Sequence, residues 1–422
     1  MKTTPYWTDD FPRPASLQTS PLPEGVDVAI VGGGYTGLNA ARVIAREGGS
    51  VAVLEQQMIG WGASSRNGGL TTTGLKAAAQ TVMERYGEQL GRAFWSASLD
   101  AVDLIGQIVA EEAIDCDFVR KGHVALAVKP SHFQQMQKKA EWYDKKLNHI
   151  MRPVPPERLQ EEIGSPAFCG GLVDEYSGGL QPAKYVFGLA QAVARHGAHL
   201  CEHTTVNAIQ RDSGRFRVQT DRGTVRARDV LVATNGYTTT LVPPIKRGVF
   251  PVGSYIIVTE PLPATLQEEL SPKGRVFYDS KWFLNYFRLT PDGRMLFGGR
   301  NNLRTDLDLE ESARRLRRRM VEVFPQLRDV TLTHSWTGRL GITFDLMPHI
   351  GRVEGLHYAL GYGGHGVSIA TYLGTEAGLL LCGKKDRSPF AEISHPTRFF
   401  YRDKPWFLPL AAWYYRLLDW LT

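Results

Sequence analysis

Trp61 to Gly69 reads WGASSRNGG, one arginine and one asparagine set among small residues and paired glycines. A loop of this composition offers closely spaced backbone amides and a single fixed cation. That suits a phosphate or the polar edge of a ring, and it equally describes a tight turn with a surface arginine. A second stretch narrows the choice. Gly32-Gly33-Gly34-Tyr35-Thr36-Gly37 is G-x-G-x-x-G. Gly32 permits a tight turn, Gly34 lets backbone approach a pyrophosphate, and Gly37 allows a helix to sit close on a strand. Glu55, further along, is placed to accept hydrogen bonds from a ribose diol.

These residues need particular elements around them. Val26 to Val31 (VDVAIV) is a β-branched apolar run that leads into the glycines. Leu38, Ala41, Ile44 and Ala45 then repeat at helical spacing, Gly48-Gly49 stops the helix, and Ser50 to Leu54 forms a second strand ending at Glu55. The unit is βαβ, and the first helix turns unpaired amides and partial positive charge toward the motif. The WGASSRNGG loop follows the second strand at the carboxyl edge of the sheet, where such folds bind ligands.

Two later stretches resemble the first. Val225 to Gly236 (VRARDVLVATNG) is a strand ending in the small residues Ala233-Thr234-Asn235-Gly236. Leu360 to Gly366 (LGYGGHG) precedes an apolar helix carrying Ala370, Leu373, Ala377 and Leu380 on one face. A helix N-terminus at Gly366 and Val367 offers amides to the anionic edge of a reduced flavin, although close helix packing alone also explains the glycines. Three such loops in one chain favour FAD over NAD.

Composition sets the frame. The 422 residues exceed the usual size of one core, so two domains are expected. At 43% hydrophobic and 22% charged the chain is ordinary for a globular protein. The net charge of +6 is spread along it, which speaks against nucleic acid. Cys116, Cys169, Cys201 and Cys382 form no C-x-x-C pair, so neither a zinc site nor a disulfide scaffold is expected and a reduced cytoplasm fits best. The Pro-rich first 25 residues lack a secretory h-region. The apolar run Trp406 to Tyr415 contains Pro409 and is about half the ~20 residues needed to span a bilayer, so no transmembrane helix is expected. Asp306 to Met320 reads as a helix docked through Leu316, Met320 and Phe324 with solvated arginines. The tail after Pro409 reads as a helix docked on the body through Leu410, Trp413, Tyr414, Leu417 and Leu421, with a membrane surface or partner as the alternative. No nucleophile elbow and no metal-ligand spacing stands out.

VDVAIVGGGYTGLNAARVIAREGGSVAVLE, IGWGASSRNGG, VLVATNG, YFRLTPDGRMLFGG, the series from Trp336 to Gly351 and GYGGHGV together resemble the D-amino acid oxidase superfamily, and within it the γ-glutamylputrescine oxidase branch, over nearly the whole chain. The resemblance implies an α/β fold with a Rossmann-like FAD domain built from 26–85, 160–240 and 335–385. It also implies a substrate domain with an antiparallel sheet built from 86–159 and 241–334; 386–422 is the aromatic tail. The implied flavin contacts are Gly32, Gly34, Tyr35, Thr36, Gly37, Glu55, Gln56, Gly62, Ala63, Ser64, Ser65, Arg66, Asn67, Gly68, Gly69, Val206, Ala233, Thr234, Asn235, Gly236, Gly338, Gly363, Gly364, His365, Gly366 and Val367. Related sarcosine oxidases attach flavin to a cysteine; the corresponding place here is near Gly338, so FAD is expected to be noncovalent. Their active-site lysine corresponds to Leu296.

The implied reaction is oxidation of a C–N bond in an amine. Hydride passes to flavin N5, water hydrolyses the imine to an aldehyde, and oxygen reoxidises the flavin to give hydrogen peroxide. Alternatives are an amino-acid or opine dehydrogenase serving a quinone or partner, and an assembly protein with structural flavin. Tyr255, Trp282, Tyr286 and Tyr362 are expected at the substrate face or else in the core. Arg288 either grips a carboxylate or is an exposed strand arginine. His365 either positions substrate and cofactor or bonds only to backbone.

Overall fold

The computed structural model describes residues 1–421, with side chains through Asp419. The apolar run after Glu24 forms the strand Gly25–Val31, buried along nearly its whole length. It pairs in parallel with Val51–Leu54 on one side and Gly223–Val232 on the other. The sheet runs His349–Val353, Leu356–Leu360, Gly223–Val232, Gly25–Val31, Val51–Leu54, His199–Cys201, and the hairpin Val206–Asp212 with Arg215–Thr220 extends it from Gly223–Val232. Strands buried on both faces read as continuous apolar runs, which is why the sequence marks them so clearly.

The helices Tyr35–Arg46 and Gly366–Leu381 lie together beside this sheet. They touch through glycine. A Cβ on Gly374 would lie 2.4 Å from the carbonyl oxygen of Thr36, and one on Gly378 would lie 2.8 Å from Cβ of Val43. Glu88–Glu111 packs on Gly366–Leu381 and buries Phe94, Ala101, Ile105 and Ile108 in the same core. By length and composition this helix is long and apolar enough to cross a membrane, but here its apolar face is core.

The second sheet runs Leu332–Thr343, Val249–Pro261, Arg294–Gly299, Asn285–Leu289, Val276–Asp279, His123–Leu126, Gly171–Asp174, Arg152–Val154. All its pairs are antiparallel except Val276–Asp279 with His123–Leu126. The helix Leu309–Val323 covers it through Leu316 and Met320, with Phe324 buried just beyond.

The division expected from the sequence is corrected at three places. Gly171–Asp174 and the whole of Leu332–Thr343 belong to the second sheet, and Glu88–Glu111 packs with the nucleotide-side helices. The tail is corrected as well. Among the described side chains of the helix Leu408–Leu421, Leu408 and Ala412 are buried, whereas Leu410, Trp413 and Tyr414 face solvent. The side chain of Leu421 lies outside the described residues.

The glycine contact makes a test. Gly374→Val has to push Gly366–Leu381 away from Tyr35–Arg46 and is expected to cost about 1–3 kcal/mol or more in urea unfolding. Gly106→Ala, whose Cβ would meet only Phe118 at 3.4 Å within Glu88–Glu111, is expected to be neutral or mildly stabilising. Equal effects would refute the role of the interhelical contact.

Candidate active site

A cavity of about 820 Å³ lies between the two sheets. Its floor is the G-x-G-x-x-G turn. Gly32 has φ +111°, and a Cβ there would lie 2.9 Å from the carbonyl oxygen of Ala233. On Gly37 a Cβ would lie 2.0 Å from the carbonyl oxygen of Gly32, so only glycine lets the helix start this close to the strand. A Cβ on Gly34 would meet the hydroxyl of Ser64 at 2.8 Å. That hydroxyl accepts the amide of Tyr35 at 3.0 Å, joining the turn to the WGASSRNGG loop.

Glu55 accepts the amides of Gly33 at 2.7 Å and Gln57 at 2.9 Å. Burial raises its pKa against these bonds. Gln56, Val206, Thr204 and Thr205 line the same end. Asn235, at φ +43°, accepts the amide of Gly361 at 2.9 Å and so ties the middle glycine-rich segment to the last one. Ala233 and Thr234 line the cavity beside it.

The last segment turns through positive φ at Gly361, Gly363 and Gly364, and Gly366–Leu381 begins with Gly364, His365, Gly366 and Val367 in the cavity wall. First-turn amides have no carbonyl within their own helix to bond. Tyr362 and Thr36 share a hydroxyl hydrogen bond of 2.6 Å, so the starts of the two long helices are linked directly. His365 is held near pKa 3 by burial and by the charge of Lys76, and is therefore neutral at ordinary pH. Its buried Nδ1 has no hydrogen-bond partner among the described residues.

The opposite wall comes from the second sheet. Register places Ser254 across from Gly338 and Tyr286 across from Gly298. A Cβ on Gly298 would lie 2.3 Å from the Tyr286 ring, so the glycine gives that ring its place, and Ser254 and Tyr286 share a hydroxyl hydrogen bond of 3.0 Å. Burial pushes the Tyr286 phenol up to about 12. Trp95, Tyr143, His123 and Tyr278 continue the wall. Among the described residues no cysteine lines the cavity.

Several expectations are corrected here. Arg288 is buried and does not line the cavity. Its guanidinium donates to the carbonyls of Gly69 (2.9 Å), Leu180 (3.1 Å) and Leu289 (3.1 Å), and burial lowers its pKa to about 10. It is neither a free carboxylate clamp nor an exposed strand residue; it braces the loop from behind. Tyr255 lies in the second core, its hydroxyl donating to the carbonyl of Arg304 and accepting the amide of Leu307. Trp282 is half exposed and stacks on Tyr415 at 5.4 Å. Gly37, Ser65, Gly69 and Gly236 act behind the wall, Ser65 by donating to the carbonyl of Gly60 and Gly236 by close approach to the backbone of 339–341.

Within the loop, Asn67 is consumed locally. Its amide donates to the carbonyls of Ala63 and Ser64, both at 3.0 Å, and its carbonyl accepts from Gly69 at 2.8 Å. Arg66 lines the cavity with Gly62, Ala63, Ser64 and Gly68, donates to the carbonyls of Trp61 (2.8 Å) and Thr337 (3.3 Å), and lies 4.7 Å from the centroid of the Trp61 ring.

Two residues that the sequence reading missed stand out. Lys76 and Arg300 both line the cavity, and neither side chain has a hydrogen-bond or ion-pair partner among the described residues. The charge of Arg300 first, and burial second, lower Lys76 to about 7. With Arg66, Lys139 and Arg339 the described lining carries five cations, whereas its one acid, Glu55, is occupied by amides. The signal in the sequence was a single lysine in the apolar run after TTTG, and an arginine directly after the Gly298-Gly299 pair.

The lining fits a dinucleotide with a ring at one end: a glycine cradle, an acid for a diol, an excess of cations, a helix N-terminus and an orphaned imidazole nitrogen. Comparison with known proteins agrees. Residues 27–378 match the DAO family of FAD-dependent oxidoreductases. The chain is 31% identical to the γ-glutamylputrescine oxidoreductase of Escherichia coli strain K12 over 93% of this chain and 92% of that one. It is 31% identical to "Probable oxidoreductase OrdL" of Haemophilus influenzae over 98% and 96%. The glycine oxidase structure from Geobacillus kaustophilus superposes with a TM-score of 0.75 at 22% identity, covering 89% of this chain and all of that one. With fold, cavity and family model in agreement over most of its length, the chain belongs to the DAO family of FAD-dependent oxidoreductases.

Proposed function

We propose that the protein oxidises the C–N bond of a γ-glutamyl-polyamine or a related amine bearing a carboxylate, with noncovalently held FAD and with oxygen as electron acceptor. The observation that carries this reading is the pair of unmatched cations, Lys76 and Arg300, in a cavity whose one lining acid is already hydrogen-bonded. The similarity to a γ-glutamylputrescine oxidoreductase supports the choice of amine.

Bound FAD supplies the two-electron oxidation of the amine carbon to an imine. The protein supplies position and charge. Arg300 and Lys76 hold the substrate carboxylate, Arg300 by a planar fork and Lys76 as a point charge. Tyr286, Tyr278, Tyr143 and Trp95 enclose the alkyl chain and amine. His365 stays neutral and keeps Nδ1 for a hydrogen bond, and the first-turn amides of Gly366–Leu381 favour negative charge at the wall they face. Arg66 places positive charge beside the glycine cradle. A second reading, a dehydrogenase with another acceptor, is favoured by one observation: Leu296 is buried in apolar core where the resemblance to sarcosine oxidases leads to a lysine.

Four outcomes are expected. Arg300→Met or Lys76→Met raises KM for γ-glutamylputrescine by about 10–100-fold, corresponding to the roughly 1.5–3 kcal/mol of a charged hydrogen bond, and changes KM for putrescine little. Equal effects on both amines would remove the carboxylate role. Glutarate, which has no amine to titrate, binds best while Lys76 is protonated; its dissociation constant therefore rises as pH passes upward through about 7, and Lys76→Met flattens that profile. Arg66→Ala lowers flavin retention on dialysis without unfolding the chain. Aerobic turnover yields one hydrogen peroxide per amine oxidised; flavin bleaching without peroxide would favour the dehydrogenase, and no bleaching by any amine would leave flavin structural.

A further inference from the structure

The C-terminal helix is firmly attached yet turns its largest apolar side chains outward. Asp419 accepts the backbone amides of Trp282 (2.7 Å) and Phe283 (3.1 Å), and Arg416 donates to the carbonyl of Asn301 at 2.8 Å. Leu408 and Ala412 join Phe250, Ile342 and Tyr401 in a small core. With the inner face so used, Leu410, Trp413 and Tyr414 form an outer stripe on the helix, 65%, 67% and 53% exposed, and Trp406, 60% exposed, adjoins it from the turn before Leu408. Phe399, 94% exposed, and Phe400 extend it, Phe400 touching Trp406 with ring centroids 6.1 Å apart.

A contiguous aromatic face of this kind is not left in water without reason, and its charged rim indicates what covers it. Arg398, Arg402 and Lys404 are exposed and pair with no acidic side chain among the described residues, while the nearby Asp403 already faces Lys246 at 3.7 Å. Protein interfaces are depleted in lysine, although arginine is enriched there, and the opposite charges that a protein partner would have to supply for three unpaired cations are supplied in bulk by an anionic lipid surface. Tryptophan and tyrosine beside unpaired basic residues suit the boundary between anionic headgroups and acyl chains. We propose that this face seats the protein on an anionic lipid bilayer, with the helix lying in the plane of the interface and Trp406, Leu410 and Trp413 entering the acyl boundary.

The test is co-sedimentation of the full-length, flavin-loaded protein with vesicles of phosphatidylcholine alone or mixed with phosphatidylglycerol. Pelleting with the mixed vesicles, a blue shift of tryptophan emission and weakening by added salt are expected. The triple variant Trp406→Glu, Leu410→Glu, Trp413→Glu should lower vesicle affinity by at least about tenfold, with flavin absorbance unchanged. Arg402→Gln with Lys404→Gln keeps the apolar face and should weaken binding to the mixed vesicles specifically, so the test survives a misfolded triple variant. Equal pelleting with both vesicle types, or none with either, would overturn the proposal. So would concentration-dependent self-association that the triple variant abolishes, because a second copy would then cover the face.

Discussion

Two helix N-termini have to meet at one cavity, and backbone contact through glycine is what allows it. Gly37 sets Tyr35–Arg46 against its strand, and Gly374 and Gly378 set Gly366–Leu381 against Tyr35–Arg46. A side chain at any of these positions moves one N-terminus relative to the other. The hydroxyl bond between Thr36 and Tyr362 sits where the two helices begin and depends on that approach. The second sheet then closes the cavity from the opposite side, with its own glycine, Gly298, under the Tyr286 ring.

Charge inside this frame is treated in two ways. A buried cation is costly unless it is paired or hydrogen-bonded. Arg288 meets the condition with three backbone carbonyls, and in doing so fixes the stretch around Gly69 to Leu180 and to the strand Asn285–Leu289. Lys76 and Arg300 do not meet it among the described residues, and the charge of Arg300, followed by burial, lowers the pKa of Lys76. The same field, together with burial, keeps His365 neutral.

The nucleotide half was legible because its signals are local. A β-branched run, a glycine turn, a helical repeat and a second strand follow one another between Val26 and Glu55, and the resulting strands pair as that pattern implies. The other wall was less legible because its residues meet only through sheet register. Tyr255 and Tyr286 both lie on strands of one sheet, yet Tyr286 lines the cavity and Tyr255 enters the core behind it. Arg288 looked like a ligand clamp because sequence shows a cation but not the carbonyls it meets. The tail failed for a different reason: helical periodicity names an apolar stripe without saying whether protein covers it, and here Asp419 and Ala412 select the other side.

The separation between the arginine that braces the loop and the cations that face the cavity bears on how such a chain diversifies. Arg288 holds the loop through the main-chain carbonyls of Gly69 and Leu180, and a Cβ on Gly69, at φ +73°, would lie 2.2 Å from the carbonyl oxygen of Leu180 and 3.0 Å from Nη1 of Arg288, so this brace requires glycine there. The side chains of Lys76 and Arg300 make no hydrogen bond or ion pair among the described residues, and the one bond to the Arg300 carbonyl, from Arg319, does not depend on the side chain at position 300. Mutational drift at these two positions can therefore retune what the cavity accepts while the cradle beneath it is inherited intact.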